Sequence, residues 1–310
     1  MTLYGWAKPR RFRLPAPEMR HFEVEADTKV LAHCYWQPER HAHPALLALH
    51  GLEGSSQAHY MRGLAEKGLK AGFSVVLLNQ RTCGGTEQLS PGLYHSGLTS
   101  DVDHLVRELA DADGISRMVV AGYSLGGNLA LKLAGEYGNE PPAALRGVCA
   151  VSPILEIAAC TRALERRTNV LYQWNFVRAL RNRMLRKERC HPGRFALDGL
   201  DDVRTVRQFD EMFTAPHFGF LDAEDYYVRA SAMRVIDRVS VPALIIAAED
   251  DPFVPIEPFL NPAVGGNRNI RLVVTRRGGH CGFISNGSGN EDIYWAENRI
   301  IEFSRAVTRS

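Results

Sequence analysis

The sequence predicts an α/β protein, a mostly parallel, doubly wound sheet interrupted once by a helical cap insertion. Three observations carry this. Short continuous apolar runs, the pattern of strands covered on both faces, alternate with amphipathic stretches of helical period. One strand-to-helix passage contains Gly122-x-Ser124-x-Gly126. The alternation stops at about residue 156 and resumes after 234, which divides the chain into a core of 1–155 and 235–310 and a helical cap of 156–234.

The elements follow in order. Residues 1–18 hold Pro9, Pro15 and Pro17 with Arg10, Arg11 and Arg13, an extended arm whose basic cluster reads as a solvated face. Residues 21–25 and 30–36 alternate apolar and polar and form an antiparallel opening ribbon. Residues 45–49 are a buried strand running into His50-Gly51-Leu52-Glu53-Gly54-Ser55. Residues 57–71 are an amphipathic helix stopped by Gly72, and 73–78 the next strand. Thr99 or Ser100 caps a helix through Leu105 and Leu109. Residues 117–122 and 145–151 are further strands. Within the insertion, 169–189 is helical. Val170, Trp174, Val177, Leu180 and Met184 make its apolar face; Arg178, Arg181, Arg183, Arg186, Lys187 and Arg189 fill the rest. Strands return at 241–247 and 270–275, and a last helix covers 294–307.

Composition narrows the function classes. The 310 residues, 45% hydrophobic, suffice for one α/β domain with an insertion. A net charge of +2 points to no nucleic-acid partner. The six cysteines are scattered without Cys-x-x-Cys and read as buried thiols. His41 and His43 share a loop with no third ligand nearby, so no metal and no cofactor is expected. No leader-like segment and no run of roughly 18 apolar residues is present, so a cytoplasmic protein without a membrane span is expected. Oligomeric state is not readable.

The chemistry centres on Ser124. Gly-x-Ser-x-Gly between a strand and a helix is the nucleophile elbow of the α/β-hydrolase fold. The turn is so tight that the neighbours two residues to either side, Gly122 and Gly126, must be small, and the serine takes a strained backbone conformation. A serine hydroxyl needs a base, and the base needs a carboxylate to fix its tautomer. In this fold they come in the order Ser, Asp, His, each past a strand end. The sequence supplies Ser124, an Asp at 250 or 251, and His280. Position past Ala248 favours Asp251 over Asp250, with Glu249 third. Cys281, beside a better-placed serine, reads as packing. The N–H groups of Leu52, in the Gly-rich loop, and of Leu125, after the nucleophile, are the expected oxyanion donors. His50, Tyr123 and Trp174 are expected to touch substrate, Trp174 by presenting the cap helix's apolar face to an acyl chain.

With these residues in hand the chain resembles one α/β-hydrolase branch, often called AB hydrolase family 4, which includes abhydrolase-domain lipases and medium-chain alcohol acyltransferases. The resemblance covers nearly the whole chain. It rests on His50 to Ser55, Leu93-Tyr94-His95-Ser96-Gly97, Gly122-Tyr123-Ser124-Leu125-Gly126-Gly127-Asn128, Asp250-Asp251-Pro252-Phe253 and Gly279-His280-Cys281-Gly282-Phe283. It extends to a cap set with no catalytic logic of its own: Phe209-Asp210, Thr214-Ala215-Pro216, Gly219-Phe220, Asp225-Tyr226-Tyr227 and Ser231. The resemblance implies a charge relay of Ser124, Asp251 and His280 and hydrolysis of carboxylic esters, with acyl transfer to alcohols in some members. The expected activity is a serine carboxylesterase for short- to medium-chain acyl esters, taking a small-molecule or lipid ester. Acyltransfer or phospholipase action would use the same triad; a pocket-bearing protein without turnover is the reading from another class, and the complete Ser-Asp-His set argues against it. There is one departure: the family usually has Arg-Gly-Cys where this chain has Arg81-Thr82-Cys83. A β-branched residue resists positive φ, which bears on that loop's shape and on the acyl pocket wall.

Overall fold

Among the described residues, eight strands, numbered in chain order, form one sheet in the order β1-β2-β4-β3-β5-β6-β7-β8. The computed structural model describes residues 10–287, 289 and 291–309; the first nine residues of the expected N-terminal arm lie outside these. Strands β1 (Glu18–Glu25) and β2 (Thr28–Tyr35) are the antiparallel ribbon, and β2 pairs antiparallel with β4 (Ser74–Asn79). From there β3 (Ala45–Leu49), β5 (Met118–Tyr123), β6 (Leu145–Val151), β7 (Ala243–Ala248) and β8 (Ile270–Thr275) continue in parallel. Parallel strands need both faces covered, and β3, β5 and β7 are correspondingly buried along their whole length, whereas the edge strand β8 carries Arg271 and is only partly buried.

The period-two alternation of β3 sorts the core into two layers. Leu46 and Ala48 pack with Met61 and Leu64 of α1 (His59–Lys70) and with Ile300 and Ile301 of the C-terminal helix Trp295–Thr308. Leu47 and Leu49 pack with Val102 and Leu105 of α2 (Thr99–Asp111) and Leu129 of α3 (Leu125–Tyr137). Thr99 is not the cap of α2. Leu98 occupies that position, and the Thr99 hydroxyl instead donates to Glu136 of α3. At the other end of the chain, Arg10 forms a bidentate pair with Glu297 at 2.5 and 2.9 Å, which fixes the arm to the last helix.

Between β6 and β7 the chain is helical. It runs through α4 (Ile157–Leu164), α5 (Val170–Cys190), a continuous stretch from Val206–Phe209 through the π-helix Asp210–Thr214 to Ala215–His217, and α6 (Ala223–Ala230). A 3₁₀ turn, Ala232–Arg238, follows and packs on α3. Polar pairs tie this segment down. Asn128 of the elbow helix donates to the carbonyls of Ser96 and Ala230 and accepts from Ala232. Asp210 accepts from Thr214 and Tyr227, and Tyr226 bonds Ser96. These bonds account for the cap residues that carried the family resemblance without chemistry of their own. Among the described residues no helix is long and apolar enough to cross a membrane. All six cysteines are free; Cys34, Cys83, Cys149 and Cys160 are buried, while Cys190 is exposed and Cys281 half-buried.

The loop after β4 keeps a left-handed residue although it is not glycine. Thr82 sits at φ 62°, buried, with its hydroxyl unpartnered. The flanking Arg81 holds the turn in place through paired bonds to Asp101 and Glu25. Left-handed strain at a β-branched residue costs about 1–3 kcal/mol. Relief of that strain exceeds the chain entropy that glycine adds. Thr82→Gly should therefore raise stability by about 1 kcal/mol; an unchanged or lowered denaturant midpoint would contradict this account.

Candidate active site

The elbow is built from two close approaches. A Cβ on Gly122 would stand 2.0 Å from the carbonyl oxygen of Gly126, and one on Gly126 would stand 2.4 Å from that of Leu49. Neither distance is physically available, so strand and helix meet this closely only with glycine at both places. Ser124 sits at the apex with φ 55° and ψ −115°, its N–H held by Val151 O at 2.8 Å. The pairing of Leu49 with Gly122 brings the loop after β3 alongside the apex.

That loop presents one free donor. Gly51 N–H donates to the Tyr60 hydroxyl at 3.2 Å, and Glu53 N–H to the Tyr94 hydroxyl at 3.0 Å. Leu52 N–H, between them, has no partner among the described residues. Leu125 N–H opens α3, where a helix supplies no acceptor of its own. Two backbone donors therefore flank Ser124 on neighbouring loops.

The loops after β7 and β8 bring the other groups. Asp251 accepts from the N–H groups of Phe253 and Val254 through Oδ1, and its Oδ2 lies 2.9 Å from His280 Nδ1. Asp250 acts elsewhere. Its Oδ1 accepts from Gly278 and Gly279, both at 2.7 Å, and so anchors the loop that carries His280. The two carboxylates thus separate into a partner for the imidazole and a strut for its backbone. Burial alone disfavours a charged His280. The adjacent Cys281 sulfur and the Asp251 carboxylate oppose it, and the ring's pKa rises well above the ordinary histidine value.

Two cavities meet at Ser124. The outer one, about 820 Å³, is lined by His280, Cys281, Tyr60, Tyr123 and the α5 residues Leu171, Tyr172 and Phe176, among others. The inner one, about 80 Å³, lies beneath the cap against Leu125, Ile157, Leu164, Leu180 and Arg183. Leu52, Ser124, Phe176 and Phe253 border both. Cys281 is therefore cavity wall as well as packing.

The three expected substrate contacts part company. Tyr123 lines the outer cavity, as expected of a substrate contact. His50 does not touch either cavity. It is fully buried, accepts from Gln80 N–H at Nε2 and stands 2.7 Å from Gly51 O at Nδ1. Since Nε2 accepts, Nδ1 carries the proton and donates. Burial pushes the ring down to about 4, so it stays neutral and fixes the start of the donor loop. Trp174 is 58% exposed and lies outside both cavities, as does Val170. The reason is helix phase. The buried stripe of α5 is Gln173, Val177, Leu180, Arg183, Met184 and Lys187. At about 100° per residue, Trp174 falls more than 100° round from its centre. The apolar pattern follows the wrong edge because the true inner face includes a glutamine, an arginine and a lysine. Tyr60 and Phe176 also line the site without being legible as site residues, since an aromatic on an amphipathic helix carries no signal that separates cavity wall from core; Tyr94 and Phe253 line it from loops whose motifs carry the resemblance without assigning them a role.

The matching family model, described as alpha/beta hydrolase fold, spans residues 44–287, and the chain belongs to that family. It is 35% identical over 259 residues to a protein of Escherichia coli named "Putative esterase YheT", covering 83% of this chain and 75% of that one. It is 30% identical to mouse phospholipase ABHD3 over 78% of this chain and 58% of that protein. A solved structure, the Pyrococcus furiosus esterase Pf2001, superposes with a TM-score of 0.60 at 17% identity over 96% of this chain and 98% of that one, a likeness of fold. These relatives set the chain in the esterase and lipase branch, as a carboxylic ester hydrolase.

Two outcomes follow from this geometry. Asp251→Asn should lower kcat by about 10⁴ through loss of the correct tautomer. Asp250→Asn, whose amide oxygen still accepts from Gly278 and Gly279, should cost less than about tenfold by the same comparison; kinetics of the two variants with one ester decide the order. Trp174→Ala should leave the octanoate-to-acetate turnover ratio and the melting temperature nearly unchanged, because an exposed ring contributes little to either. A shifted ratio would return Trp174 to the acyl path.

Proposed function

We propose that the protein is a serine carboxylesterase in which the acyl group enters the inner cavity and the alcohol occupies the outer one. Ser124 Oγ attacks the ester carbonyl while His280 takes its proton. The Leu52 and Leu125 N–H groups hold the oxyanion, generally the largest electrostatic contribution in such reactions. Collapse breaks the C–O bond, and His280 returns the proton to the departing alkoxide. Water then repeats the sequence on the acyl-enzyme, releasing the acid and restoring Ser124. Asp251 orients His280 throughout. Residues 156–234 act as the cap that roofs the acyl side.

The observation that carries this reading is the one-sidedness of His280, which borders the outer cavity and not the inner. The proton must reach the leaving oxygen, so the alcohol lies on His280's side and the acyl group opposite. The inner volume of 80 Å³ is about half the ~150 Å³ that holds a benzene ring, room for roughly three or four carbons. The outer volume of about 820 Å³ is of the size that takes a lipid or other large alcohol portion. Phospholipase ABHD3, by its name a lipid hydrolase, is consistent with a large alcohol side.

An acyl series of esters of one alcohol tests the proposal. Butyryl esters should exceed octanoyl esters in kcat/KM, and Ser124→Ala should lose at least about 10³ in kcat and fail to label with a fluorophosphonate. Preference for octanoyl would overturn the acyl assignment; labelling or turnover by Ser124→Ala would overturn the nucleophile. Because the base acts in its neutral form and Asp251 raises its pKa, kcat/KM should rise with pH through a limb above about 6.5. In Asp251→Asn that limb should move down, read from the pH profile of the residual activity.

A further inference from the structure

The inner cavity is not purely apolar. Arg183 of α5 lines it, wholly enclosed, with 2% of its side chain exposed. Its Nη1 stands 3.2 Å from Glu53 Oε1, but off hydrogen-bond alignment, and both Nε and Nη1 are buried without a hydrogen-bond partner. The flat face of the group rests on the Tyr94 ring, 4.6 Å from its centroid, with Phe209 at 5.7 Å. A guanidinium has five N–H donors and no acceptor, and leaving buried donors unmet is costly. Such a group beside a nucleophile is poised for an oxygen that arrives with the substrate.

The charges around it decide what kind of oxygen. Glu53 already balances the guanidinium, and its Oε1 also accepts from Tyr94 at 3.0 Å. Asp210 lines the same cavity, held by Thr214 and Tyr227, each at 2.8 Å. Each Asp210 oxygen accepts from a hydroxyl, the arrangement of a carboxylate, while burial pushes its pKa up to about 6. One cation thus faces two carboxylates. A substrate carboxylate or phosphate would meet both and gain no net partner. A neutral acceptor, such as a ketone or hydroxyl oxygen, would satisfy the free N–H groups without that repulsion.

Building on the esterase reading above, we infer that Arg183 is the specificity residue of the acyl subsite and selects short acyl groups that carry a neutral oxygen, the oxo- and hydroxyacyl esters, over their alkyl counterparts. Leu52, Ile157, Leu164 and Leu180 are apolar walls of the pocket, and its polar walls are largely bonded within the protein, Tyr226 to Ser96, Thr161 to the Ile157 carbonyl and Asp210 to Thr214 and Tyr227, so Arg183 is the wall that keeps unmet donors. Sites built to hydrogen-bond a substrate oxygen discriminate strongly against analogues that lack it, because the protein's own group is then left unpaired.

The test compares butyryl, acetoacetyl, 3-hydroxybutyryl and succinyl esters of one alcohol. The acetoacetyl and 3-hydroxybutyryl esters should exceed butyryl by about tenfold or more in kcat/KM, after correction for their spontaneous hydrolysis, and succinyl should not. Arg183→Met leaves Glu53 unpaired and is at risk of misfolding, so Arg183→Met/Glu53→Gln removes both charges together. In the double variant the oxo-to-alkyl ratio should collapse towards one. A wild-type enzyme that turns over butyryl as well as the oxoacyl esters overturns the inference, with water as the partner of Arg183, and leaves the esterase reading standing. Preference for succinyl overturns the neutral-oxygen assignment. A ratio that survives the double variant removes Arg183 from recognition. Absence of turnover on every ester defeats the esterase reading and this inference with it.

Discussion

The structure depends on how closely β5 and α3 approach across the elbow. Strand and helix meet where any side chain at Gly122 or Gly126 would overlap a backbone carbonyl. That approach forces Ser124 into its positive φ and lifts its hydroxyl clear of the sheet. It also brings the β3 loop into register with the apex, because Leu49 pairs with Gly122. Ser124 and the loop after β3 are therefore placed by one steric event rather than by two independent loops. Strain of this kind persists only where the surroundings over-determine it. Here they do: β5 is fully buried between β3 and β6.

A second division of labour surrounds the imidazole. Asp250 and Asp251 are adjacent, chemically identical and equally suited to a turn, yet one holds backbone and the other holds the ring. Asp251 commits its second oxygen to Phe253 and Val254, which fixes the carboxylate before the histidine meets it. The Phe253 ring then lies 4.2 Å from the imidazole centroid and forms wall in both cavities. The tetrapeptide Asp250-Asp251-Pro252-Phe253 thus supplies loop anchor, ring partner and cavity partition in one turn.

Much of this was legible in the sequence, for physical reasons that also mark where legibility ends. The parallel strands announce themselves because burial on both faces leaves few positions for a polar residue; β3, β6 and β8 begin and end where the mainly apolar runs do, although β6 admits Arg146 and the edge strand β8 Arg271. The elbow is legible because only glycine tolerates its geometry. Ser124, Asp251 and His280 are legible because chain order and strand ends constrain them. The long helix between β6 and β7 was legible too, and Val177, Leu180 and Met184 of its expected face are buried; the edges of that face were not, because the inward side is partly polar. Hydrophobic periodicity assumes that buried means apolar, whereas α5 buries Gln173, Arg183 and Lys187 and exposes Val170, Leu171 and Trp174. His50 misled in a related way: a polar group at a strand end looked like a substrate contact, and its bonds turn out to be taken up by Gln80 and Gly51.

The polar burial in the cap bears on its purpose. A helix that merely roofed the core would be more stable with leucine at Lys187 and Arg183, since replacing buried charges by apolar side chains is often neutral or favourable. Lys187 has a structural answer. Its ammonium donates to the Glu87 and Ser90 carbonyls of the loop after β4, while burial lowers its pKa to about 8. With Arg186 paired to Glu87, it locks α5 onto the catalytic domain. Arg183, one turn earlier on the same face, has only part of its answer from the protein: Glu53 balances its charge, while Nε and Nη1 keep no hydrogen-bond partner, and it borders the cavity beside Ser124. The same helix therefore carries one buried cation that fastens the cap and another whose donors are left for whatever the cap encloses. The exposed Trp174 edge of α5 and the unmet donors beside the inner cavity have a single cause, a polar inner face.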